Sequence, residues 1–90
     1  MQLLTTEIKS KLPPLYSQED NPDPLIHVKF FKGAWTWYAC EFDPSEGLFF
    51  GLVDGHEKEL GYFSLDELES INVERDLYWK PALLSKVREN

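Results

Sequence analysis

The chain has 90 residues, one cysteine and a formal net charge of −7. That length suits one domain, residues 1–90, with a single thin core, and a lone cysteine excludes an internal disulfide and any multi-cysteine metal site. The negative charge argues against direct binding of nucleic acid or of an anionic membrane. No apolar run approaches the ~20 residues of a membrane span. The start, Met1 to Leu4, is too short for the apolar core of a signal peptide, and Glu7, Lys9 and Lys11 follow at once. A reducing, cytoplasmic setting is the expectation.

In chain order, Leu4, Ile8 and Leu12 are spaced for a short amphipathic helix over residues 5–12, with Thr5 or Thr6 as N-cap and Pro13-Pro14 as its stop. Residues 17–24 are polar and interrupted by Pro, which predicts a mobile loop. Ile26, Val28 and Phe30 alternate with His27, Lys29 and Phe31, a strand with one apolar face and a Lys suited to a sheet edge. Lys32-Gly33-Ala34 turns the chain into its most ordered-looking stretch, residues 35–63. There, three aromatic-rich runs are separated by Asp43-Pro44-Ser45-Glu46-Gly47 and by a turn opening on Asp54-Gly55, so they read as an antiparallel meander.

Simple alternation puts Thr36, Tyr38, Cys40 and Phe42 on one face of the first run, with Trp35, Trp37, Ala39 and Glu41 on the other. In the second run Leu48, Phe50 and Leu52 oppose Phe49, Gly51 and Val53. Both faces are apolar, so both need cover. Gly51 and Gly61 are expected where the sheet meets another backbone or a bulky ring, since mid-strand Gly otherwise only weakens a strand. Ser64-Leu65-Asp66-Glu67 is a capping box opening a helix with a Leu65, Leu68, Ile71 stripe, ending near Asn72. Val73, Leu77 and Trp79 alternate as a fifth strand, and Pro81 suits the first turn of a last helix with Leu83, Leu84 and Val87 on its apolar side. The expected class is α+β: a four- to five-stranded antiparallel meander sheet with short flanking helices.

The charge is concentrated. Residues 41–76 carry eleven acids against Lys58 and Arg75 alone, a balance of −9. Asp43 and Glu46 in the first turn should lie at the sheet end reached by Asp66, Glu67 and Glu69 of the helix, whereas Asp54 and Glu57 should lie at the other end. Trp35, Trp37 and Trp79 with Tyr78 are either core or an aromatic recognition face. The cluster from Asp54 through His56 and Glu57 to Glu59 offers metal-ligand types, but its spacing matches no metal motif. Cys40 has no His placed by sequence to activate it and reads as a small buried hydrophobe. No phosphate-cradling Gly pattern occurs. No catalytic residue, cofactor or metal is therefore expected, and the chain is read as not an enzyme.

Several segments carry a resemblance. His27-Val28-Lys29-Phe30-Phe31, Trp35-Thr36-Trp37-Tyr38, Glu41-Phe42-Asp43, Phe49 through Gly55 and Glu59 through Leu68, with the opening Leu3-Leu4-Thr5 to Leu12-Pro13, resemble a family of small uncharacterised bacterial proteins classed as a domain of unknown function. The resemblance implies carriage on plasmids, integrative elements and phages, often near anti-restriction genes. It brings no catalytic residues. It points to a counter-defence role, such as inhibition of a CRISPR or restriction complex.

Residues and resemblance together give one leading expectation. The chain is a protein-binding module that inhibits a nucleic-acid-handling defence complex, with Asp43, Glu46, Asp66, Glu67, Glu69, Trp35 and Trp37 as partner-binding residues and a basic nucleic-acid-binding protein as partner. DNA mimicry through carboxylates is the expected mechanism. Two alternatives stand beside it: a structural or regulatory subunit that binds through an aromatic sheet face, and a metal-dependent enzyme with a site at the 54–59 turn. Monomer and homodimer are both open.

Overall fold

Turn residues set the topology. Gly47 takes a left-handed φ of +65°, which closes the turn after Asp43, and its N–H donates back to the Asp43 carbonyl at 2.8 Å. The computed structural model describes residues 2–89, and Met1 lies outside them. In order they form α1 (Thr6–Lys11), β1 (Leu25–Ile26), β2 (Val28–Lys32), β3 (Trp35–Asp43), β4 (Leu48–Asp54), β5 (Lys58–Ser64), α2 (Leu65–Ser70), β6 (Glu74–Arg75), β7 (Ala82–Leu83) and α3 (Leu84–Arg88). The main sheet is five-stranded and antiparallel, in the order β5-β4-β3-β2-β6, and β1 pairs with β7 in a separate two-stranded ribbon. The expected α+β class and meander are what the chain forms.

The N-cap signals of the first two helices act as read. The Thr5 hydroxyl accepts from the Ile8 N–H at 3.1 Å, and the Ser64 hydroxyl from the Glu67 N–H at 3.0 Å. Asn72, at φ +58°, turns the chain out of α2.

A bulge in β3 alters the expected faces. Ala39 pairs with Gly51 and Glu41 with Phe50, which leaves Cys40 as the extra residue. Beyond it the alternation inverts. Phe42 joins Trp37, Ala39, Phe49 and Phe63 on the first face, and Glu41 lines a cleft on the second face beside Cys40 and Phe50. Strict alternation had Phe42 and Glu41 reversed. Gly51 supports this geometry, because a Cβ there would overlap the Tyr38 carbonyl.

Each face has its own cover. The first packs Val28, Phe30, Trp37, Phe42, Phe49 and Phe63 under Leu3 and Leu12, with Ile8 of α1 and Leu68 of α2 against them. Phe49 is its centre, with ring centroids 4.5 Å from Phe42, 5.3 Å from Phe63 and 5.4 Å from Phe30. The second face packs Cys40 and Leu52 against Ile26 and against Leu84 and Val87 of α3.

Other expectations need correction. Ile26 does not share a face with Val28 and Phe30: the strand breaks at His27, and Ile26 packs into the second core. β2 is not an edge strand, since β6 pairs with it at Phe30–Arg75 and Phe31–Glu74. The fifth strand is only two residues long. Past it Leu77 and Tyr78 are exposed, and Trp79 turns to the second core. Pro81 and Leu83 precede α3 and do not begin it. Gly61 has open space where a Cβ would stand, so it meets neither a backbone nor a ring.

The two mid-strand glycines should therefore respond oppositely. Gly51→Ala drives a methyl into the Tyr38 carbonyl and should cost about 2–3 kcal/mol. Gly61→Ala meets open space and should stay within about 0.5 kcal/mol of the parent. Thermal melts check both, since about 1 kcal/mol moves the midpoint by ~4–8 °C in a domain of this size.

Candidate functional site

Of the carboxylates named from the sequence, those of the β3–β4 turn and of the first turn of α2 meet at one end of the sheet. The Leu65 N–H at the start of α2 donates to the Gly47 carbonyl at 2.9 Å, which docks the helix on the β3–β4 turn. Glu46, Asp66 and Glu67 are exposed there, with Glu69 exposed further along α2, and no Lys or Arg occurs in 43–47 or 64–70; the Lys32 ammonium donates to the Ile71 carbonyl at the far end of the helix. Asp66 and Glu67 occupy the first turn of α2, where unpaired N–H groups favour negative charge. Asp43 is half-buried and partly engaged: its carboxylate accepts from the Ser45 N–H at 3.2 Å and the Ser45 hydroxyl at 3.0 Å.

The two tryptophans do not join this group. Trp35 lies at the opposite end, where Thr36 pairs with Asp54 and the Trp35 ring covers Gly55. Trp37 is core, 9% exposed, and stacks on Trp35 with centroids 6.1 Å apart. Trp35 is 38% exposed and takes His56 edge-on at 5.3 Å. An aromatic recognition face containing both residues is not formed. Trp79 is half-buried, and its indole N–H donates to the Ile26 carbonyl at 3.2 Å. Lys29 sits beside it, 5.7 Å from the Trp79 ring centroid and 3.7 Å from the Asp76 carboxylate. In the 54–59 turn His56 packs on an indole, and among the described residues no three His, Cys, Asp or Glu side chains converge as metal ligands.

Glu41 counts among the eleven acids of residues 41–76, but it is not on an exposed acidic surface. It is only 3% exposed. Its two carboxylate oxygens accept the Tyr16 N–H at 3.0 Å and the Gln18 N–H at 2.7 Å. Tyr16 is held at φ +70°, a left-handed conformation costly for a bulky residue. The Phe42 N–H donates to the Pro13 carbonyl at 2.9 Å. Residues 13–18 are thereby fastened along the half of β3 that β2 does not pair. The expected mobile loop is a run of turns anchored on a buried acid. The available signal was an acid between Cys40 and Phe42, one residue from where a mid-strand Gly opposite marks a bulge.

This arrangement makes a cleft of about 290 Å³ on the second face, bounded by Tyr16, Glu19, Glu41, Phe50, Tyr62 and Arg88. Cys40 opens onto it and donates its S–H to the Phe50 carbonyl at 3.4 Å. Burial, then the neighbouring Glu41, pushes the Cys40 thiol up to about 12, so it is a poor nucleophile. The far rim is tied by Asp23, whose carboxylate accepts from the Ser85 N–H at 2.8 Å and the Ser85 hydroxyl at 2.7 Å. These bonds hold the Asp23 carboxyl below its usual range. They also cap α3, whose own N-cap, Leu83, has no side-chain acceptor. A second cleft, about 320 Å³, lies between α1 and the chain after β6; His27 lines it, lowered by burial and then by Lys11.

Glu41→Gln replaces one acceptor by an NH₂ group and leaves a loop N–H without a partner. It should cost about 1–3 kcal/mol, read as a lower melting point, and should speed cleavage after Glu19 by a Glu-specific protease. The Cys40 thiol should react with a thiol reagent at pH 8 about a thousandfold more slowly in the folded chain than in denaturant, in line with its raised value. Equal rates would show that the second core opens freely.

No functionally curated protein and no solved structure matches the chain. No helix among the described residues is long and apolar enough to cross a membrane. One family matches over residues 3–86, described as a protein of unknown function, DUF2958, and the chain belongs to that family.

Proposed function

We propose that the chain acts by binding and not by catalysis, through the acidic end built from the β3–β4 turn and α2. The observation that supports the reading is the Leu65–Gly47 hydrogen bond, which brings the acidic β3–β4 turn and the acidic first turn of α2 side by side, two segments that themselves carry no Lys or Arg. Carboxylates held this way suit a Lys/Arg groove shaped for phosphates, so the partner is a basic nucleic-acid-handling protein. Among such proteins the sequence resemblance favours a host CRISPR or restriction complex, with this chain as its inhibitor and carried by a mobile element. Glu41 and Asp76 fall outside the surface, the first buried and the second beside Lys29. The alternative of an aromatic face is weakened by the burial of Trp37.

The test is affinity capture from a bacterial lysate at low and high salt, followed by binding measurements on what is retained. A basic nucleic-acid-binding protein should be held at low salt and released as screening grows. Replacing Glu46, Asp66 and Glu69 together by Lys should weaken that binding by ~10-fold or more. The same change at Glu57 and Glu59, near the opposite end, should leave it nearly intact. An acidic partner, or equal loss from both sets in folded variants, would exclude the acidic end as the binding surface.

A further inference from the structure

The free edge of β5 carries an inference independent of the acidic end. β5 is the outermost strand of the sheet, seven residues long, and only its inner side is paired. Two hydrogen bonds fix its phase: Gly55 N–H to Glu57 carbonyl at 3.1 Å, and Leu65 N–H to Gly47 carbonyl at 2.9 Å. In an antiparallel ladder, bonded pairs then recur at every second residue. Glu59, Gly61 and Phe63 bond inward to Val53, Gly51 and Phe49, while the N–H and C=O groups of Leu60 and Tyr62 point away from β4. The devices that usually blunt such an edge are missing at its centre. Leu60-Gly61-Tyr62 holds no charge and no Pro, its ladder has no bulge, and Leu60 and Tyr62 are 43% and 52% exposed.

We propose that this edge pairs with the same edge of a second copy, forming a continuous antiparallel sheet about a two-fold axis through Gly61. The strand is self-complementary in that register alone over its full length. Leu60 of one copy exchanges both backbone hydrogen bonds with Tyr62 of the other, and Tyr62 does so with Leu60. Each exposed apolar side chain then gains an apolar neighbour on the second face. Gly61 faces Gly61 in a non-bonded position, where Cα atoms come within about 4.5 Å. The open space where a Cβ would stand leaves room for that approach, with or without a small side chain. Charge is complementary at the strand ends: Lys58 of each copy falls opposite Ser64 of the other, beside the acidic first turn of α2 at Asp66 and Glu67.

Sedimentation of the full chain over a concentration series should show a species of twice the 10.5 kDa chain mass. Tyr62→Pro removes an outward N–H and no ladder bond to β4, so it should return the chain to monomer; Leu60→Lys should do the same by charge and guards against misfolding of the Pro variant. Register is read by cysteine cross-linking. Gly61→Cys should join into a covalent dimer under mild oxidation at least tenfold faster than Leu60→Cys, with the buried Cys40 thiol silent. A wild-type chain that stays monomeric at every concentration overturns the proposal. So does a dimer unaffected by both edge variants, a preference for linkage at position 60, or a monomer that instead takes up an extended peptide from another protein along this edge.

Discussion

The carboxylate of Glu41 is the constraint on which the second half of this structure rests. An acid at 3% exposure is unfavourable in a small core unless both its oxygens are satisfied. Here they take the two N–H groups of a segment that would otherwise leave its own backbone unpaired. The bulge at Cys40 makes this possible, because without the extra residue Glu41 would point into the aromatic core under α1 and α2. The bulge in turn depends on Gly51, the one position opposite it where no Cβ can be accommodated. Glycine, bulge, acid and loop form one chain of dependence, and a change at any member is felt by the others.

A short chain can cover both faces of a sheet only by economy. The helices have six, six and five residues, too few to be stable alone. α2 and α3 persist because one or two apolar residues of each are fixed in a core and one end is tied to a distant segment. α2 is docked by Leu65 on Gly47, and α3 by Ser85 on Asp23 and by the Leu84 N–H on the Pro24 carbonyl at 2.9 Å. Large aromatic side chains do the filling. Phe49 alone contacts Phe30, Phe42 and Phe63, so one ring links β2, β3, β4 and β5. Among the described residues no buried side-chain nitrogen or oxygen lacks a hydrogen-bond partner, which shows how completely the few buried polar groups are used.

What could be read from the sequence follows the range of each signal. Local chemistry was legible: the Thr5 and Ser64 caps, the turn at Gly47, the meander and the end at which α2 would lie. These depend on neighbours three or four residues apart. Phase was not legible past Cys40, since a bulge is settled by the strand opposite and alternation has no memory of it. Trp37 was ambiguous for a related reason: its identity suits a core or an interface equally, and only the arrival of α1 and α2 on its face decides. Ile26 failed because the chain changes sheets at His27 to let β1 meet β7, a contact between residues more than fifty positions apart.

The acidic end and the open edge meet at Ser64, and their relation constrains how the molecule could work. β5 is the last strand of the sheet and leads directly into α2, so any strand added to its edge passes beside the acidic surface. An antiparallel second copy would set the two acidic ends at opposite corners of one sheet, separated by about the length of a seven-residue strand, roughly 23 Å. Two like-charged surfaces at that distance lie beyond a Debye length of ~8 Å at physiological salt, so their repulsion would oppose pairing only weakly. A partner offering two basic grooves at that spacing would gain avidity from such a dimer, whereas a partner with one groove would gain none. The proposed edge pairing and the proposed acidic binding would thus be separable at one strand–helix junction: charge reversal on α2 would act on the second, and a proline in β5 on the first.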